Sequence, residues 1–89
     1  MSHKHLQKIE KIFSHPIPAN LDVKKTFAAL EHFGVRIETT KSHSAKLFHE
    51  GNEEILPLPH GDHFTKDEVV KLRHILEHFG LTPEKAKEV

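Results

Sequence analysis

The stretch Val35-Arg36-Ile37-Glu38-Thr39, followed by Ala45-Lys46-Leu47-Phe48-His49-Glu50-Gly51-Asn52-Glu53-Glu54-Ile55-Leu56, decides the fold. Val35, Ile37 and Thr39 alternate with charged residues, the period of a half-buried strand, because successive strand side chains point to opposite faces. The second run is interrupted by Gly51-Asn52, which suits a two-residue type II′ hairpin loop, since glycine reaches positive φ without steric cost. With those two residues as the loop, Glu50 faces Glu53, Leu47 pairs with Leu56, Ala45 with Leu58 and His43 with His60. These last three pairs share one face, and Phe48 pairs with Ile55 on the other. The facing glutamates repel, which a loop one residue wider would relieve. Pro57 lacks a ladder donor and makes the third strand a sheet edge.

Helical periods flank this region. Leu6, Ile9 and Phe13 recur at three- and four-residue spacing and predict a first helix over residues 4–13, stopped by Pro16 and Pro18. A second helix starts after Asn20 or Asp22, both good N-caps, and buries Val23, Phe27, Leu30 and Ala28. Gly34 ends it in a Schellman motif with Phe33 as C-cap, bringing Leu30 and Val35 together. Leu76-Glu77-His78-Phe79-Gly80-Leu81 echoes Leu30-Glu31-His32-Phe33-Gly34-Val35 and reads as a second helix ended by the same rule. That helix begins with the capping box Thr65-Lys66-Asp67-Glu68 and carries Val69, Leu72, Leu76 and Phe79 on one stripe, widened by Val70 and Ile75. Thr82-Pro83-Glu84 then opens a short closing helix over 82–88.

The expectation is a single α+β domain over residues 1–89, with a three-stranded antiparallel sheet packed on helices. Without the first and last pieces, the element order over 20–82 is α-β-β-β-α, the order of the double-stranded-RNA-binding-domain-like (dsRBD-like) fold, here with an extra N-terminal helix. Eighty-nine residues have room for one core. The absence of cysteine excludes a disulfide scaffold and a thiolate metal site. With no apolar run of membrane-spanning length and no signal-peptide h-region, a cytoplasmic protein without membrane contact is expected. Thirteen basic residues balance thirteen acidic ones, so overall charge does not favour nucleic acid and local arrangement has to decide. Ten histidines are the unusual feature, because their ordinary pKa of about 6.5 lets small shifts charge them near neutrality.

Three short segments carry a family resemblance by their order and spacing. They are Ile12-Phe13-Ser14-His15-Pro16-Ile17-Pro18-Ala19-Asn20, Lys41-Ser42-His43 and Leu58-Pro59-His60. From Lys8 to about Thr82 the chain resembles HicA toxins, the RNA-cleaving members of bacterial toxin–antitoxin pairs, and especially a variant with an N-terminal helix and a Pro-x-Pro linker. Lys41-Ser42-His43 is similar to the family's Gly-Ser-His, whose histidine is catalytic, with lysine in place of glycine. Leu58-Pro59-His60 is similar to its Val-Pro-x-His, without the intervening residue. The resemblance implies an endoribonuclease (mRNA interferase) that cleaves mRNA without a metal or other cofactor, and a HicB-like antitoxin protein that covers it.

The residues can be read for that chemistry. RNA supplies its own nucleophile in the 2′-hydroxyl, and an enzyme adds a base, an acid for the departing 5′-oxygen and cations around the phosphate. His43 takes the base role, His60 that of acid or phosphate contact, and Ser42 supports them. Lys41, Lys46, Lys66, Lys71 and Arg73 are candidates for binding the RNA backbone, and Phe48 and Ile55 for a partner protein or a stacked base. The plain alternatives are a surface histidine, a loop-capping His60, a solvated lysine face, and a first helix folded over Phe48 and Ile55. A non-catalytic RNA- or protein-binding module on the same scaffold is the competing function. Metal readings compete as well: His74-Ile75-Leu76-Glu77-His78 matches a His-x-x-Glu-His pattern, and His60-Gly61-Asp62-His63 with His43 and His49 carries nitrogen and oxygen ligands for zinc. His32 and His78 suit the last turns of their helices, and His3 and His5 fall in a terminus expected to fray.

Overall fold

The hairpin reverses direction at Glu50-Gly51, where φ is +48° and +84°, the paired positive values of a type I′ turn. In this computed structural model, which describes residues 3–18 and 21–86, that turn joins β3 (Ser44–His49) to β4 (Asn52–Pro57). Together with β2 (Arg36–Thr39) they form an antiparallel sheet of order β2-β3-β4. The remaining elements are α1 (His3–Ile12), β1 (Leu21–Asp22), α2 (Val23–His32), β5 (His63–Phe64), α3 (Lys66–Phe79) and α4 (Pro83–Ala86). β1 and β5 pair with each other in a separate two-residue ladder that the sequence reading lacks. No helix among the described residues is long and apolar enough to cross a membrane.

The turn lies one residue earlier than Gly51-Asn52 predicts, and this corrects the register. Ala45 pairs with Leu56, Leu47 with Glu54 and Phe48 with Glu53. Facing glutamates at 50 and 53 are avoided, since Glu50 enters the loop and Glu53 meets the aromatic Phe48. The shift moves each partner by two residues, so every side chain keeps its face. Ala45, Leu47 and Leu56 remain buried on the inner side. Phe48 and Ile55 share the outer face without pairing, because Ile55 stands opposite Lys46. β4 is an edge strand, which accommodates Pro57.

Caps fix the helices as their sequences dictate. The Asp22 carboxylate accepts from the Lys25 N–H at 2.8 Å and starts α2; Asn20 lies outside the described residues. Val35 N–H donates to the Leu30 carbonyl and Gly34 N–H to that of Glu31, the two bonds of a Schellman motif. Leu81 to Leu76 and Gly80 to Glu77 repeat the pattern at the end of α3, so the hexapeptide echo is a repeated cap. Thr65 and Glu68 bond reciprocally at the start of α3, a device worth about 1 kcal/mol. The last helix is described only to Ala86, and residues 87 and 88 of the expected span lie outside the described residues.

One core joins Leu30 and Phe33 of the α2 end, the inner sheet face, Val69, Leu72, Leu76 and Phe79 of α3, and Ile9 and Ile12 of α1. The buried stripe of α2 differs from the expectation: Thr26, Ala29 and Leu30 are buried, Val23 and Phe27 half-buried, and Ala28 exposed. α1 packs along α2, and the extra buried positions of α2, Thr26 and Ala29, are both small. Phe64 is fully buried although no periodic pattern marks it, and it anchors β5 against Leu21. Among the described residues α1 packs chiefly on α2, α3 and α4, and on the outer sheet face Ile55 is half exposed at 50%. On that face Arg36 roofs Phe48, its guanidinium 4.7 Å from the ring centroid, and also bonds Glu38 at 2.8 Å.

The type I′ assignment is testable by substitution. Glu50 holds a left-handed conformation that asparagine tolerates far better, so Glu50→Asn raises unfolding free energy in urea by about 1 kcal/mol with an unchanged slope. A type II′ turn at Gly51-Asn52, with Glu50 in the strand, would instead give no gain.

Candidate functional site

The β2–β3 connection is the three-residue loop Lys41-Ser42-His43, closed by Thr40 N–H donating to the Ser44 carbonyl at 2.8 Å. In such loops the third residue takes the left-handed conformation, a position usually filled by glycine or asparagine. Here His43 fills it, with φ +59°. A left-handed non-glycine residue costs about 1–2 kcal/mol, so another interaction has to hold it there.

Two hydrogen bonds to one neighbouring segment do so. The Leu58 N–H donates to the His43 carbonyl at 3.0 Å, and His43 Nε2 lies 2.8 Å from the Pro59 carbonyl oxygen. A carbonyl oxygen only accepts, so Nε2 carries the hydrogen and in the neutral ring Nδ1 keeps the lone pair. The orientation and tautomer of His43 are thus set by a backbone group. His60 stacks on the same ring, with centroids 5.1 Å apart and planes 18° from parallel. The expected meeting of His43 and His60 occurs, but not as a cross-strand pair; the partner of His43 in the shifted register is Leu58, and the His60 ring arrives from the segment after β4.

The far end of that segment is fixed too. The Val23 N–H donates to the Asp62 carbonyl at 2.9 Å, Asp22 pairs with His63, and buried Phe64 pairs with buried Leu21. The start of α2 therefore holds the chain that presents His60. Beside His43, the hydroxyls of Thr40, Ser42 and Ser44 form a triangle with oxygens 3.0 to 3.2 Å apart. Hydroxyls can donate or accept, which suits a group whose charge changes during a reaction.

The other candidates are dispersed. Lys41 is exposed in the loop next to Ser42. Lys46 is half-buried on the outer sheet face between Glu38 and Ile55, and Lys66 and Lys71 are exposed on α3. Arg73 is committed elsewhere, with Nε donating to the Ile12 carbonyl at 2.6 Å and Nη2 to that of Ser14. It ties the end of α1 to α3, the satisfaction of terminal carbonyls that a helix end needs. His78 pairs with Glu54 at 2.5 Å, and His5 lies within α1 and stacks on His32 at 4.5 Å, so neither the dipole role nor the frayed terminus accounts fully for them. Among the described residues no group of three or more histidine, aspartate or glutamate side chains converges as a metal site. The Pro59 carbonyl and the hydroxyls of Thr40 and Ser44 carry no mark in the sequence: Pro59 stands in the Leu58-Pro59-His60 motif, but a main-chain oxygen leaves no residue-type signal, and the two hydroxyls flank the loop without a motif of their own.

The backbone at 43 makes an unusual ordering of variants. His43→Ala and His43→Gly both lose the Pro59 bond, but only glycine relieves the positive φ. His43→Gly is therefore more stable than His43→Ala by about 1 kcal/mol in chemical denaturation, the reverse of the order at an ordinary strand or helix position. Equal stabilities, or alanine the more stable, would contradict the left-handed geometry. Comparison of the chain with protein-family models, with curated proteins and with solved structures finds no match.

Proposed function

We propose that this chain is a HicA-like, metal-independent endoribonuclease in which His43 is the general base. The observation that carries the reading is the exposed imidazole of His43, bonded through Nε2 to the Pro59 carbonyl and stacked on His60. In this reading Nδ1 of His43 takes the proton of a ribose 2′-hydroxyl, whose oxygen attacks the adjacent phosphorus. The bond to the 5′-oxygen breaks, and that oxygen takes a proton from His60. The products are a 2′,3′-cyclic phosphate and a 5′-hydroxyl, so atoms and charges balance with no metal or oxidant. The Pro59 carbonyl is to His43 what an orienting acceptor is to the base of a catalytic triad. Ser42 and its neighbouring hydroxyls, with Lys41, face the phosphate in this scheme. The order α2-β2-β3-β4-α3 supports extending the resemblance to the dsRBD-like fold, and a HicB-like antitoxin, with Phe48 and Ile55 among its contacts, would be the partner.

A second reading, a non-catalytic RNA- or protein-binding module, is favoured by the zero net charge and by the Pro59 bond acting simply as a pin between two loops. Cleavage of a labelled mRNA fragment separates the two. The enzyme reading expects EDTA-insensitive cleavage giving cyclic-phosphate ends, and a fall of about 100-fold or more in His43→Ala. Intact RNA at high protein concentration, or cleavage undiminished in His43→Ala, would refute it.

A further inference from the structure

A cleft of about 540 Å³ lies between α1 and α2, lined by His5, Gln7, Lys8, Lys11, Lys25 and Ala28. Its cationic groups come from both helices, in a chain whose net charge is zero. The side chains of Lys8 and Lys25 act on a common neighbourhood: the Asp22 carboxyl is held below its usual range, first by the Lys25 backbone hydrogen bond and further by the charges of His63, Lys25 and Lys8. The Asp22 Oδ1 is committed to the N-cap bond with the Lys25 N–H. The exposed Ala28 leaves room among the longer side chains. His5, which lines the cleft, stacks on His32 with planes 22° apart, so a flat ring backed by a second one borders the lysines.

We propose that this cleft binds the phosphate backbone of single-stranded RNA, with a base resting against the His5–His32 pair. A lysine-lined groove that follows a backbone, with flat rings for sequence-tolerant stacking, is the arrangement such strands require. An acidic protein surface would be satisfied by the lysines alone and makes no use of the ring pair. The proposal deepens the ribonuclease reading, on which it rests for the identity of the polyanion, by naming where the strand is held away from the scissile bond. The connection is short. His60 stacks on His43, His63 three residues later pairs with Asp22, and Lys25 follows within one helical turn. Those steps put the Lys25 and His60 backbones within roughly 20 Å of each other.

The test uses the full chain and a fluorescent 2′-O-methyl RNA of mixed sequence, which lacks the nucleophilic hydroxyl and is not consumed. Fluorescence anisotropy across a salt series reads affinity and its salt dependence. Combined Lys8→Gln, Lys11→Gln and Lys25→Gln weakens binding by about tenfold or more at low salt and makes the log–log salt slope shallower by about 2. The three corresponding arginine substitutions keep the charge and bind as the parent does, which separates lost contacts from lost folding. Parent-like affinity in the glutamine variant overturns the proposal, and so does displacement of the RNA by polyglutamate of equal charge at equal concentration. Cleavage assayed in parallel keeps the two readings apart. Cleft-dependent binding without cleavage of ordinary RNA sinks the ribonuclease reading alone, and cleavage with cleft-independent binding sinks this one alone.

Discussion

The bond from His43 Nε2 to the Pro59 carbonyl is the contact on which the site depends. It spans two segments that are distant in the chain, the turn between β2 and β3 and the segment after β4. It also offsets the cost of a histidine at φ +59°. A typical neutral hydrogen bond returns about 1 kcal/mol net, close to the penalty for the left-handed backbone. Glycine would relieve that penalty directly, so the sequence keeps an imidazole at a position where the backbone alone disfavours it. Residues held in sparsely populated conformations are a reasonable place to look for function.

The rest of the fold serves as a frame for that contact. The Schellman cap at Gly34 sends the chain from α2 into β2, and the type I′ turn at Glu50-Gly51 sets how far β4 runs before Leu58 and Pro59 reach His43. The β1–β5 pairing then returns the chain to the start of α2, with Phe64 buried beneath it. A one-residue slip in the hairpin would exchange the sheet's faces, whereas the two-residue difference between the expected and observed pairing leaves them intact. The His43–His60 meeting does not depend on that pairing, because His60 stacks on His43 from the segment after β4.

Legibility in the sequence followed the range of the interaction. Caps and turns are local, so Thr65-Lys66-Asp67-Glu68 and the two Phe-Gly endings could be read with their bonding partners. The hairpin is legible in place but not in phase, because Glu50-Gly51 and Gly51-Asn52 both offer loop residues and the choice depends on which side chains then face each other. A single apolar stripe on α2 presumes one buried side, whereas the helix also packs against α1, with Thr26 and Ala29 buried and Ala28 exposed. Phe64 and the Pro59 carbonyl carry no periodic signal at all. The lysines at 8, 11 and 25 belong to separate helices, and only packing brings them to one cleft.

Which imidazole nitrogen of His43 is free to accept a proton decides whether the ring can act as a base from this loop. Long-range ¹H–¹⁵N correlation of the histidine rings, at a pH where His43 is neutral, reads this directly. The geometry requires protonated Nε2 and an unprotonated Nδ1 with the ¹⁵N shift of a lone-pair nitrogen. The Pro59 hydrogen bond should also keep this tautomer from averaging with the other. Protonation at Nδ1, or an averaged pair of shifts like that of free histidine, would contradict the account.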